Sequence, residues 1–155
     1  MAAVERTVVL MKPDALQREL VGEVLHRFER KGLKIVGLKL TNLDQETITE
    51  HYGHLKDKPF FPSLVQFMMQ TPTVGLILEG LDAIETVRTM VGATNPRVAD
   101  VGTIRSDLSM NVPSNIVHAS ESSEAALAEI KRFFADDEIF SYEKLTDKYH
   151  VGEGV

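Results

Sequence analysis

NIVHASES, residues 115–122, is the stretch on which the reading of the fold turns. Its first half is a short apolar run of the kind that forms a strand. Its second half drops into serines and a glutamate suited to a helix start. Taken as a strand, NIVHA is the fourth of a series. RTVVLMK, 6–12, reads as a buried strand running into a Lys-Pro turn; LKIVGLKL, 33–40, is the second, and TVGLILEG, 73–80, the third, closed by Gly80. Val21, Val24, Leu25 and Phe28 recur at helical spacing between the first two, and Gly32 after Arg30 and Lys31 stops that helix. Asp44 is placed to cap a helix bearing Ile48, Tyr52 and Leu55, and SLVQFMM after the KPFFP turn is a further helical stretch, so these two form a helical insertion.

After the third strand, Asp82 with Glu85 three residues on has the pattern of a capping box, and Ile84, Val87 and Val91 supply an apolar stripe. Ser120 or Ser122 caps a last helix carrying Ala126, Leu127, Ile130, Phe133 and Phe134. The order is βαβ, helices, βαβα. Two such halves predict an α+β fold, a split βαβ sandwich of four strands with helices on one face, as a single domain over 1–155. Residues 92–114 hold two prolines, two glycines and no sustained periodicity, which marks a functional loop.

A chain of 155 residues, 43% hydrophobic and 26% charged, is long enough to bury roughly two-thirds of its unfolded surface in one core. No cysteine is present, which excludes disulfides and thiolate metal sites. No window approaches eighteen apolar residues and no signal peptide opens the chain, so a cytoplasmic location is expected. The net charge of −6 argues against a general nucleic-acid or membrane surface. An anionic ligand therefore needs a local cationic pocket.

His118 stands where an apolar strand meets a helix start, a junction that favours anions. His26, His51, His54 and His150 fall in polar surroundings and are read as solvated. A histidine is a nucleophile when one ring nitrogen donates its proton to an acceptor and leaves the other lone pair free. Glu129, on the following helix at the edge of its apolar stripe, is the carboxylate for that task. Lys12, Arg88 and Arg105 border ordered elements and are the cations available to phosphate; Phe60 and Phe61, after Pro59, lie outside any periodic stripe, and whichever is exposed is a stacking candidate.

Five stretches, ERTVVLMKPDALQREL, HYGHLKDKPFF, VRTMVGATNP, GTIRSD and NIVHASES, occur in the order found in nucleoside diphosphate kinases, and the chain resembles that family over nearly its whole length. The resemblance implies a ferredoxin-like fold with an antiparallel sheet. It also implies ping-pong transfer of the γ-phosphoryl group of a nucleoside triphosphate, mainly ATP, to a nucleoside diphosphate through a phosphohistidine, which maintains nucleotide pools. His118 is then the nucleophile, oriented by Ser120 and Glu129, with Tyr52 beside it in the catalytic group. Lys12, Tyr52, Arg88, Thr94, Arg105 and Asn115 take phosphates or ribose, and Phe60 and Val112 flank the base. Mg2+ arrives with the nucleotide, held by phosphates and water and by no protein cage, with Glu121 a possible outer contact.

Homo-oligomers, hexameric or tetrameric, are implied, although the ending TDKYHVGEGV departs from that of the common hexamer. Glycine is common in the family where this chain has Ala15, Glu19, Ser106, Pro113 and Ala119. A nucleotide-binding regulatory module and an RNA-binding domain are the competing classes. The acidic balance disfavours the second.

Overall fold

The computed structural model describes residues 2–152. Strand β1 (Val4–Met11) is central and apolar on both faces. Side chains alternate across a strand. Val8 and Leu10 accordingly enter one buried cluster while Val9 and Met11 enter another. β2 (Lys34–Thr41), β3 (Thr73–Leu81) and β4 (Val117–Ala119) complete a sheet of order β2-β3-β1-β4 in which each neighbouring pair is antiparallel. β1 and β2 both flank β3, and β3 and β4 both flank β1. Each half of the chain is thus a parallel pair split by a strand of the other half. That is the split βαβ sandwich expected from the element order.

Helices cover both faces, not one, because both faces of β1 and β3 are apolar. On the first face α2 (Val21–Lys31) and α5 (Ala83–Val91) bring Val24, Phe28, Val87 and Val91 onto Val9, Met11, Leu76 and Leu78. Phe28, fully buried, contributes about 1.5–3 kcal/mol of burial by itself. Gly32 ends α2 at φ +98, and Leu33 N donates back to Phe28 O at 3.2 Å, the left-handed stop anticipated there. On the second face Ile48 of α3 (Gln45–His51), Met68 of α4 (Phe61–Met68) and Phe133 of α7 (Ser123–Phe133) pack on Val8, Leu10 and Ile77.

Three short helices escape the sequence reading: α1 (Pro13–Gln17), α6 (Ile104–Leu108) inside the long loop, and α8 (Asp147–His150) near the C-terminus. α6 has a local cause, since Thr103 Oγ1 accepts from Ser106 N at 3.2 Å. Asp44 caps α3 as expected, accepting from Thr47 N at 2.7 Å. Asp82 does not form its capping box: it sits at φ +43, caps nothing through its side chain, and accepts from Ala3 N instead. Leu127, assigned to the buried stripe of α7, is 63% exposed, while Glu129 is buried among the aromatics. The C-terminal segment, with α8 (Asp147–His150), returns to β2, where Phe140 N donates to Val36 O at 2.8 Å. The last residues of the TDKYHVGEGV stretch, 153–155, lie outside the described residues. Among the described residues no helix is long and apolar enough to cross a membrane.

Candidate active site

The register of β4 on β1 places the site. Leu10 lies opposite His118, so the His118 side chain shares the face on which Leu10 packs, the one carrying α3 and α7. Glu129 is on α7 and meets it there. His118 Nε2 lies 2.8 Å from Glu129 Oε2 and 3.1 Å from Oε1. Burial pushes the Glu129 carboxyl up, but the hydrogen bond and charge of His118, with the Ser120 hydroxyl, outweigh it and hold the group below its ordinary range. An ionised carboxylate only accepts, so His118 Nε2 carries the proton and Nδ1 keeps its lone pair. Ser120, at the end of β4, accepts from Val8 N at 3.1 Å and donates to Glu129 Oε1 at 2.6 Å. Ser122, not Ser120, caps α7, accepting from Ala125 N at 3.1 Å.

The chain enters β4 through a strained turn. Ile116 has φ +76 and Val117 N bonds Asn115 O at 2.9 Å, a γ-turn in a region that β-branched residues avoid. Such a residue costs of order 1–3 kcal/mol and persists where its surroundings determine it. Lys12 N donates to Ile116 O at 2.9 Å and Ile116 N to Asp14 Oδ2 at 3.0 Å, which ties the turn to the end of β1.

A cavity of about 310 Å³ opens beside His118, lined by Lys12, Tyr52, Arg88, Thr94, Arg105 and Asn115, with Glu121 at its margin. Seven of the residues expected to act on substrate, His118 included, therefore converge here. Lys12 Nζ donates to Asn115 Oδ1, and Asn115 Nδ2 to Thr94 O at 3.0 Å. Arg105 comes from α6, the helix missed in sequence; its guanidinium bonds Val117 O at 2.7 Å and Gly92 O at 2.9 Å. Burial, with Arg105 nearby, pushes Lys12 down to about 8 against the opposing pull of Asp14. Burial, then Arg88, lowers Arg105 to about 10. Three cations crowded into a partly dry hollow repel one another and are poised to take a polyanion.

Phe60 and Val112 do not line the cavity; they are 52% and 42% exposed. Burial and the charge of Glu129 raise the Tyr52 phenol above its ordinary value, and its hydroxyl has no partner among the described residues. A larger hollow of about 740 Å³ lies under the C-terminal segment, but there Lys34 is already paired with Asp147 at 3.1 Å and Glu79 at 3.5 Å.

His51 is not solvated, as the polar look of α3 suggested, but buried. It falls three residues after Ile48 and so shares the core face of α3. Its ring stands perpendicular to that of His118 with centroids 4.4 Å apart. Burial, then His118, drives it down to about 3, so it is neutral. His51, His118 and Glu129 bring three potential ligand atoms within 4.8 Å, but the hydrogen bonds on Nε2 of His118 and Nδ1 of His51 occupy two of them. His26, His54 and His150 are exposed, as read. Among the expected departures, Glu19 sits at φ +57, a conformation glycine adopts without strain.

The family model described as "Nucleoside diphosphate kinase" matches residues 5–139. A nucleoside diphosphate kinase of Parabacteroides distasonis is 53% identical over 139 residues, covering 90% of this chain and 91% of that one. Among solved structures, a halophilic nucleoside diphosphate kinase from Halobacterium salinarum in complex with CDP superposes with TM-score 0.92 at 41% identity, covering 95% and 98% of the two chains. A transition state mimic of the Borrelia burgdorferi enzyme with bound vanadate and ADP gives TM-score 0.88 at 33% identity, over 95% and 96%. The chain belongs to the nucleoside diphosphate kinase family, phosphotransferases that pass the terminal phosphoryl group of a nucleoside triphosphate to a nucleoside diphosphate through a phosphohistidine.

Proposed function

We propose that His118 Nδ1 is the atom that carries the phosphoryl group. One observation supports this above others: Nε2 is committed to a buried, ionised Glu129, which leaves the opposite nitrogen of a cavity-lining ring with a free lone pair. In the first half-reaction Nδ1 forms a bond to the γ-phosphorus as the bond to the β,γ-bridging oxygen breaks, and the nucleoside diphosphate leaves with the electron pair. The second half-reaction reverses this with a different diphosphate. Phosphoryl transfer asks chiefly for in-line placement and charge neutralisation. Lys12, Arg88 and Arg105 supply the charge, while Thr94, Asn115 and Tyr52 contact phosphate or ribose. Ser120 and Glu129 hold the ring.

Phe60 and Val112, exposed outside the cavity lining, flank the base from either side. Stacking without base-edge contacts admits every common base. Mg2+ suits the site: Glu121 is the sole carboxylate among the described lining residues, so the ion would be held mainly by the nucleotide's phosphates and water, with Glu121 as an outer contact. When bound it neutralises phosphate charge. We read residues 1–155 as one domain of a homo-oligomer, hexameric or tetrameric, acting in the cytoplasm on ATP and other nucleotides.

The test is incubation with γ-labelled ATP and Mg2+. The protein acquires label that is stable to alkali, labile to acid and discharged by GDP. His118→Ala takes none. Labelling of that variant contradicts the assignment.

A further inference from the structure

The hydrogen-bond chain at His118 does not stop at Glu129. Arg132 lies one turn further along α7 and places NH1 3.0 Å from His51 Nδ1. A guanidinium only donates, so His51 Nδ1 is an acceptor and its proton is on Nε2. That nitrogen is buried without a partner among the described residues. The arrangement is unexpected, because His51 Nδ1 is also 3.8 Å from Glu129 Oε2, the same oxygen that takes the proton of His118 at 2.8 Å. A proton on His51 Nδ1 would find that oxygen with a small ring movement.

Two imidazoles therefore stand beside one carboxylate, and only one of them points a proton at it. Arg132 Nε lies 3.3 Å from Oε1 of the exposed Glu50, a charge contact without hydrogen-bond geometry, and its guanidinium stands 5.9 Å from the centre of the Phe133 ring. His51 is gripped by three rings in edge-to-face contact, His118 at 4.4 Å, Tyr52 at 4.5 Å and Phe133 at 5.0 Å between centroids. The charged or titratable groups around it are Arg132 and Glu129 from α7, His118 from β4, and Tyr52 and His54 beyond the end of α3.

We propose that Arg132 is a tautomer lock: by donating to His51 Nδ1 it denies His51 a proton on the Glu129 side, reserves that carboxylate for His118 and Ser120, and makes His51 a positioning residue packed across the nucleophile's ring. Neither residue touches substrate. The proposal rests on the reading of His118 as nucleophile.

Without Arg132, His51 is free to become the Nδ1–H tautomer and compete for Glu129 Oε2. The His118 ring then loses its fixed proton and plane. Partners that orient a histidine one shell out are worth about tenfold or more in metal sites, and the same scale is expected here.

The experiment has two arms. In the wild-type protein, ¹⁵N spectra of the histidine rings at neutral pH show His51 protonated on Nε2 and bare on Nδ1; the opposite tautomer overturns the proposal without any variant. In single turnover with labelled ATP, Arg132→Leu forms phosphoenzyme about tenfold more slowly. Arg132→Lys, which still donates, recovers most of the loss. So does Arg132→Leu combined with His51→Phe, because the ring remains and the competing donor is gone. A general structural role for Arg132 predicts instead that the double variant is at least as slow as Arg132→Leu, and that result overturns the lock, as does an Arg132→Leu rate equal to wild type. Failure of the wild-type protein to form any phosphoenzyme is a separate outcome and strikes the His118 reading beneath it.

Discussion

Glu129→Gln replaces one oxygen by an amide NH2 in a carboxylate that receives two protons, one from His118 Nε2 at 2.8 Å and one from Ser120 Oγ at 2.6 Å. The amide has a single acceptor to offer. If its oxygen stays with His118, its NH2 faces Ser120, and the serine hydroxyl can adapt: it accepts the amide proton and turns its own toward Val8 O, 3.4 Å away. The His118 tautomer survives and only the negative charge is lost. A hydrogen bond to a charged partner is worth about 1.5–3 kcal/mol against about 1 for a neutral one. The loss is then about 0.5–2 kcal/mol, or about two- to thirtyfold in phosphoenzyme formation.

Combining Glu129→Gln with Ser120→Ala removes the rotor. The amide NH2 must then be buried unpaired, at about 1–3 kcal/mol, or turn to His118 Nε2 and drive the proton onto Nδ1, the attacking atom. Either way the double variant is slower than the product of the single effects by about fivefold or more. Quenched-flow measurement of label uptake from γ-labelled ATP reads all four proteins. Multiplicative single effects, or an unimpaired Glu129→Gln, refute the tautomer argument.

Other consequences are equally direct. Lys12 is held down to about 8 by burial, so in the free protein it is charged below that pH and loses its charge above it. Affinity for ADP therefore falls as pH climbs from 7.5 toward 9.5, by about tenfold if one phosphate contact is lost; calorimetric titration showing a constant affinity contradicts this. Glu19→Gly relieves a left-handed residue at φ +57 and raises stability by about 0.5–1 kcal/mol after the glycine's larger unfolded-state entropy is counted, measurable by urea unfolding. Phe60→Ala weakens ADP binding by about 1–3 kcal/mol through lost stacking, equally for ADP and GDP; a loss confined to one base points to edge contacts instead.

The strands and the larger helices were readable because their apolar residues repeat at clean periods. β1 and β3 carry consecutive buried residues, a pattern that belongs to strands covered on both faces, and element order alone does not disclose the second layer of helices. What misled elsewhere was local polarity. PDALQ and IRSDL are too short for periodicity, and the Thr103 cap was the available signal for the second. QETITEH looks solvated, but His51 follows Ile48 at the helical interval, so the buried histidine was within reach of the same stripe argument used for Tyr52.

Leu127 and Glu129 exchanged their expected environments on α7. Apolarity alone places Leu127 inside, while the buried carboxylate is kept there by two hydrogen-bond donors from β4 and the residue that follows it. Spacing within one helix cannot reveal such partners. Lys12, Arg88, Arg105 and His118 were each visible as candidates, but their convergence is a property of sheet order, with β1 and β4 adjacent although a hundred residues separate them in the chain.

The central claim concerns one atom, and the isomer of phosphohistidine tests it most directly. Phosphoenzyme formed from ATP, digested under alkaline conditions and resolved against synthetic standards, is expected to yield a His118 peptide phosphorylated on Nδ1. Phosphate on Nε2 would mean that the bond to Glu129 is not the one made in the working enzyme, and phosphate on any other residue would remove His118 from the centre of the reaction.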